Sequence, residues 1–250
     1  MNLIYLLLPL FVSSQTCISR FEDFTDPNWT TLDNISIDNG DEYNFVSELS
    51  PNKVTNRNGH MLLRLSESKG RKSFRGGRIG LGAVFSTTET YDYGRISAVI
   101  KVGSTGPGVV TTFGFETLTG EVIEFSITGK DPDFVYTDYQ TDSNLGSVNR
   151  KKRSIGVDLT EDWHEFTINW EPSSLQFLVD GDVIRTIDEG DARDDYPTTP
   201  SLVKFSIYDA GGIDSDNAVW AGFPTSYFDG QAYVLDIDSL EIDCYDQENP

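Results

Sequence analysis

Apolar and polar residues alternate singly along most of this chain. Between residues 121 and 128, Ile123, Phe125 and Ile127 alternate with Glu124, Ser126 and Thr128. A period of two places the first set on one face of an extended strand and the second on the other. The pattern predicts a strand with its apolar side on a core and Glu124 on its wet side. Met61, Leu63 and Leu65 repeat it against Leu62, Arg64 and Ser66, as do Ile96, Ala98, Ile100 and Val102. Phe166, Ile168 and Trp170 continue it, followed by Leu175 to Val179 and Val183 to Ile187 around Asp180-Gly181, a two-residue hairpin signal. Leu202 to Tyr208 and Tyr233 to Ile242 supply the last strands. No long segment has helical period, and Gly, Asp and Asn clusters separate the strands, so the expected class is all-β, an antiparallel sandwich.

Composition narrows the partners. With 19 Lys plus Arg against 40 Asp plus Glu, the 250 residues carry a formal charge of −21. Such a surface repels the phosphates of nucleic acid and of anionic membranes, whereas a neutral polysaccharide is acceptable. Leu3 to Val12 is an apolar run too short to cross a bilayer, followed by small residues Ser13 and Ser14. Residues 1–16 therefore read as a secretory signal peptide and 17–250 as one domain of a secreted protein. In that oxidising setting, Cys17 and Cys244, at opposite ends of the mature chain, suggest a disulfide. Asn28 and Asn34 begin glycosylation sequons. The basic run Arg150-Lys151-Lys152-Arg153 lies among loop-forming residues and reads as an exposed loop or as a protease processing site.

Longer strings carry a resemblance. GHMLLRL, RGGRIGLGAVFSTTETYDYGRISAVIKV, VVTTFGFET, WHEFTINWEPSSLQFLVDGDVIRTI, KFSIYDAGG and AVWAGFP follow one another in an order similar to glycoside hydrolase family 16. Within that family they look most like the fungal wall members that transfer chitin chains onto β-glucan. The resemblance implies a concanavalin A-like β-jelly roll of two curved antiparallel sheets. It also implies a concave cleft for β-glucan or chitin-type glycan, an extracellular or cell-wall location and no cofactor. Structural calcium, present in some members, would need oxygen ligands such as Asp238 with backbone carbonyls.

The family's hallmark is Glu-x-Asp-x-Glu on one strand, sometimes with an added residue before the last Glu. Its first Glu is the nucleophile, its Asp orients that Glu, and its last Glu is the acid/base. Matching the final Glu-Phe of this chain makes Glu124 the acid/base, with Gly120 at the nucleophile and Val122 at the Asp. The alternative register makes Glu121 the nucleophile and lacks the Asp. Residues three apart lie on opposite faces of a regular strand, so Glu121 reaches the cleft only through a bulge. Glu116, Asp133 or Asp138 offers a substitute carboxylate from a neighbouring strand or loop. Two readings follow: a glycan-binding protein with impaired double displacement, and an active retaining glycosidase or transglycosylase using Glu121 and Glu124. Tyr136, Tyr139, Tyr208 and Trp220 match sugar-contacting positions, where an aromatic face covers the C–H side of a pyranose. Asp138, Asp209 and Gln140 offer polar contacts there.

Overall fold

A computed structural model describes residues 18–25, 30–31, 44–103, 106–141 and 149–245. The signal segment, Cys17 and both sequon asparagines lie outside the described residues. Among the described residues, seventeen strands form two sheets. One sheet contains β4 (Val54–Arg57), β5 (His60–Lys72), β17 (Ala232–Asp243), β8 (Gly94–Lys101), β13 (His164–Trp170), β14 (Ser174–Val179) and β15 (Asp182–Asp188), in that lateral order. On it, β1 (Arg20–Glu22) pairs with β17, and β6 (Arg78–Leu81) pairs with β5. The other sheet runs β2 (Thr30–Thr31), β3 (Phe45–Leu49), β7 (Ala83–Tyr91), β16 (Ser201–Asp209), β9 (Val109–Glu116), β10 (Val122–Thr128), β11 (Phe134–Gln140) and β12 (Lys151–Ser154). Every pairing among these strands is antiparallel except the two-residue β2–β3 contact.

The alternation read from the sequence sorts the faces. Phe45, Phe85, Phe113 and Phe205 are buried together between the sheets, with stacked rings 5.0 Å apart for Phe45–Phe85 and 4.8 Å apart for Phe113–Phe205. Phe125 of β10 meets Phe166 of β13 and Phe177 of β14 edge-on at 5.3 and 5.2 Å, joining one sheet to the other. Such pairs contribute about 0.5–1.5 kcal/mol beyond the area they bury. Trp170 is wholly buried, and its indole N–H donates to the Pro197 carbonyl at 3.1 Å. The β14–β15 hairpin turns at Asp180 (φ 51°) and Gly181 (φ 82°), the left-handed pair that a two-residue turn requires.

Two expectations change. The basic run is not a loop: Lys151–Ser154 is an exposed edge strand paired with β11. That pairing draws its backbone into the sheet, and Arg150, just before it, turns back over the outer face. The strand bearing Glu124 begins at Val122, and residues 117–120 form the turn before it. That turn closes with Gly120 at φ 93° and its N–H on the Thr117 carbonyl at 3.2 Å.

Candidate glycan-binding face

The register of β10 decides which side chains share a face. Ile123, Phe125 and Ile127 enter the core, so Val122, Glu124, Ser126 and Thr128 point out of the sandwich. Antiparallel pairing puts Asp138 of β11 and Gly114 of β9 directly beside Glu124, and Tyr136 and Thr112 beside Ser126. Lys204 of β16 lies beyond Gly114, and Tyr208 lies beyond Val110. The row is polar yet withdrawn from water: Ser126, Thr128 and Asp138 are each 0% exposed although they face away from the core. The outer face is therefore polar and covered. At one end its cover is the helix Ser215–Ala221, whose Trp220 packs with Tyr208 against Val110, Ala210 and Ala221.

Glycine is required in the middle of this row. A Cβ on Gly114 would stand 2.1 Å from the Ile123 carbonyl oxygen and 2.7 Å from the Glu124 Cα. Strands β9 and β10 therefore approach closely under Glu124.

Glu124 accepts a hydrogen bond from Ser126 Oγ at 3.0 Å. Burial pushes its carboxyl up to about 7, opposed by the Ser126 bond and the Arg150 charge and reinforced by Asp138 and Glu116. Asp138 is also pushed up by burial, and Gln140 and Arg150 hold it back most strongly. Gln140 Nε2 and Arg150 Nε donate to the same Asp138 oxygen, Oδ2, at 3.1 and 3.2 Å. The Arg150 guanidinium also lies 4.4 Å from the Trp220 ring centre, and Tyr136 meets that ring edge-on at 5.7 Å. Burial raises the Tyr208 hydroxyl, and the neighbouring Glu124 charge raises it further. On the other flank, Lys204 Nζ donates to Glu48 at 3.0 Å and Glu116 at 3.3 Å.

The expected site residues divide. Glu124, Asp138, Tyr136, Tyr208 and Trp220 come together on this face. Tyr139 does not, because it pairs with Ile123 and its ring belongs to the core, with the Arg185 guanidinium 5.3 Å from its centre. Cross-strand partners share a face, so a residue opposite Ile123 must point inward with it. Glu121 precedes β10 and is buried, 7% exposed, beside Thr117, Pro197 and Thr199. Its N–H donates to Thr117 Oγ1 at 3.0 Å and its carbonyl accepts from the Thr117 N–H at 2.9 Å, which holds it in the turn. Gly120 is likewise outside the strand. Asp209, of opposite parity to Tyr208, is a buried structural carboxylate: it accepts from Gly80 N–H, Thr225 Oγ1 and Tyr227 hydroxyl at 2.6, 2.6 and 2.8 Å. Asp238 stands 3.9 Å from His60 on the other sheet, and among the described residues no three His, Cys, Asp or Glu side chains gather as metal ligands. Arg150 is the residue that sequence reasoning missed. Its role depends on Arg150, just before β12, reaching Asp138 of β11, and no local pattern marks that.

A single outward carboxylate on β10 can serve as an acid near neutral pH. Double displacement also needs a second, accessible carboxylate about 5–5.5 Å away. Asp138 is adjacent but has no exposure and carries the Arg150 charge.

Known proteins share this architecture. The chain is 28% identical to Crh-like protein 2 of Aspergillus fumigatus over 89% of its own length and 51% of that relative's. It thus spans about half the length of that relative and less of several others. Among solved structures, it superposes on the Crh5 transglycosylase in complex with NAG with a TM-score of 0.70, at 20% identity over 91% of this chain and 84% of that one. The Bacillus licheniformis beta-glucanase gives 0.71, at 20% identity over 92% and 100%. These two likenesses establish the jelly-roll fold, with its two antiparallel sheets. Residues 39–227 match the family model described as glycosyl hydrolases family 16, and by that match the chain belongs to this family.

Proposed function

We propose that this chain is an extracellular or cell-wall protein that holds a β-glucan or chitin-type chain along the outer face of β9, β10, β11 and β16. It does so without the double displacement of active family members. The observation that carries this reading is the outward row of β10: Val122, Glu124, Ser126 and Thr128 contain one carboxylate. A Glu-x-Asp-x-Glu motif needs three successive same-face positions on one strand. β10 offers two such sets, Val122-Glu124-Ser126 and Glu124-Ser126-Thr128, and Glu124 is the one carboxylate in each. Aligned on its Glu-Phe, Glu124 keeps the acid/base place, Val122 replaces the orienting Asp, and Gly120, in the turn, replaces the nucleophile. Tyr136, Tyr208 and Trp220 supply sugar-facing rings, and Gln140, opposite Val122 on the same face, a polar contact that Asp138 orients from beneath. The relative seen with NAG and those named Crh-like support the substrate class. Secretion accords with a Cys17–Cys244 bridge, since β1 pairs with β17 and the Cys244 N–H donates to Ser19 Oγ at 3.1 Å.

The second reading, an active retaining transglycosylase, is favoured by one observation: a carboxyl at about 7 is poised for acid/base work. It would use Glu124 with Glu121 or Asp138 as partner. Incubation with labelled laminari- and chito-oligosaccharides separates the two. Binding without chain cleavage or transfer is expected. Turnover abolished by Glu124→Gln would establish the second reading and overturn the first.

A further inference from the structure

Far from the β10 carboxylate, the chain reverses its overall charge. Between residues 69 and 78, Lys69, Arg71, Lys72, Arg75 and Arg78 crowd the end of the β5–β6 hairpin, in a protein of net charge −21. All five are exposed. Arg78 pairs with Glu67 at 3.1 Å, whereas among the described residues Lys69, Arg71, Lys72 and Arg75 enter no ion pair. Elsewhere Arg20, Arg150, Lys152 and Lys204 each reach a carboxylate, whereas in this cluster Glu67 offsets Arg78 alone.

The hairpin also has a shape. Glu67 pairs with Gly80 and Lys72 with Arg78, so Ser68, Lys69, Gly70 and Arg71 on β5 face Ile79 alone on β6. Such an irregularity bows the longer strand out of the ladder and re-aims its side chains. Gly70 permits the bow: its φ is 88°, and a Cβ there would meet nothing within 4 Å, so conformation rather than space selects glycine. The bow encloses a hollow of about 320 Å³ whose charged lining is Lys69, Arg71, Lys72, Arg78 and one carboxylate, Glu67, which is paired with Arg78. A hollow in which cations outnumber carboxylates focuses potential and raises the local concentration of the opposite charge.

Its place on the molecule suggests the occupant. Phe74 N–H donates to the Gly212 carbonyl at 3.2 Å, Arg75 lies 4.7 Å from the Phe223 ring centre, and Arg78 Nη1 donates to the Tyr227 carbonyl at 3.0 Å. The hairpin is thereby fastened to the segment that carries Trp220 and follows Tyr208, at that end of the outer face. We infer that the β5–β6 hollow is a second binding site that receives oxyanion groups, carboxylate, sulfate or phosphate, borne on a polysaccharide. A flexible anionic chain can bring single charges into a local cation cluster, whereas an extended anionic lipid surface meets the repulsion of the whole acidic protein.

The inference is independent of the glycan reading for β10. Retention of the full-length protein is measured by affinity electrophoresis in polygalacturonate, dextran sulfate, phosphomannan and neutral laminarin, whose arms distinguish the three oxyanions. The variants are Lys69→Ser with Arg71→Ser and, as a control of equal charge, Lys151→Ser with Arg153→Ser on β12. At least one anionic polymer should be retained at about 50 mM salt and about tenfold less at about 300 mM. The hairpin variant should weaken that retention about tenfold and the β12 variant less than about twofold, with neither changing laminarin binding. Equal loss in both variants would reduce the effect to net charge and overturn the site. So would absence of retention by every anionic polymer, or capture of the protein only by phosphatidylserine vesicles. Loss of laminarin binding alone bears on the outer face and not on the hairpin.

Discussion

Glu124→Gln should make this protein more stable, and increasingly so as pH rises. In the folded chain the Glu124 carboxyl is pushed from an ordinary 4.5 to about 7, chiefly by burial. The unfolded chain keeps the ordinary value, so between those pH values the native state binds more protons than the unfolded state. Each increase of pH in that window then costs stability. The contribution is fully present below about 4.5 and is lost as pH rises through about 7. At about 1.36 kcal/mol for each pKa unit, the whole interval corresponds to about 3 kcal/mol. Glutamine keeps the neutral shape and cannot ionise. Between pH 5 and pH 8 the stability gap between variant and parent should therefore widen by about 2.5 kcal/mol in favour of the variant. Urea denaturation of both proteins at the two pH values measures it. With a slope of about 2–3 kcal/mol per molar, the midpoints should separate by about a further 1 M. Titrating groups that do not interact with Glu124 cancel in the difference. A gap constant to within about 0.5 kcal/mol would refute the reasoning, because it would mean that Glu124 ionises in the fold at little cost.

Three further outcomes follow from the same face. Arg150→Gln removes the cation that opposes burial at both Glu124 and Asp138, so both carboxyls should titrate higher still, as read by carboxyl-carbon NMR. Gly120→Glu combined with Val122→Asp restores the motif that ends at Glu124, and should give β-glucan cleavage at least about a hundredfold above the parent. A folded double variant without turnover would count against placing Glu124 at the acid/base position of the motif. Asp209→Ala leaves the Gly80 N–H, Thr225 hydroxyl and Tyr227 hydroxyl without their shared acceptor, and should cost about 3–5 kcal/mol in urea denaturation.

Much of the sandwich was legible from alternation alone. Ile123, Phe125 and Ile127 did enter the core, and Glu124 did leave it, because a strand's pleat turns successive side chains to opposite faces. Asp180-Gly181 did close a hairpin, since its positive φ values are written in those residue types. The candidate site was legible only in part. Tyr136 and Tyr139 are equally aromatic, and their three-residue separation guarantees that a regular strand sends them to opposite sides. Choosing between them required knowing that Ser126 faces Tyr136 while Ile123 faces Tyr139. The register that set Gly120 at the nucleophile position needed it on the strand, and its φ of 93° places it in the turn instead.

The residue order by itself determined the inward sets of β5, β8, β10 and β13 and the missing Asp two residues before Glu124, because each follows from neighbours one to four positions away. Only the tertiary structure decided that Asp138 lies against Glu124, that Arg150 bridges Asp138 to Trp220, and that Asp209 holds β6 to the segment after the helix. Those contacts join residues 12 to 129 positions apart. Lateral strand order and connection geometry create them, and no local periodicity encodes either.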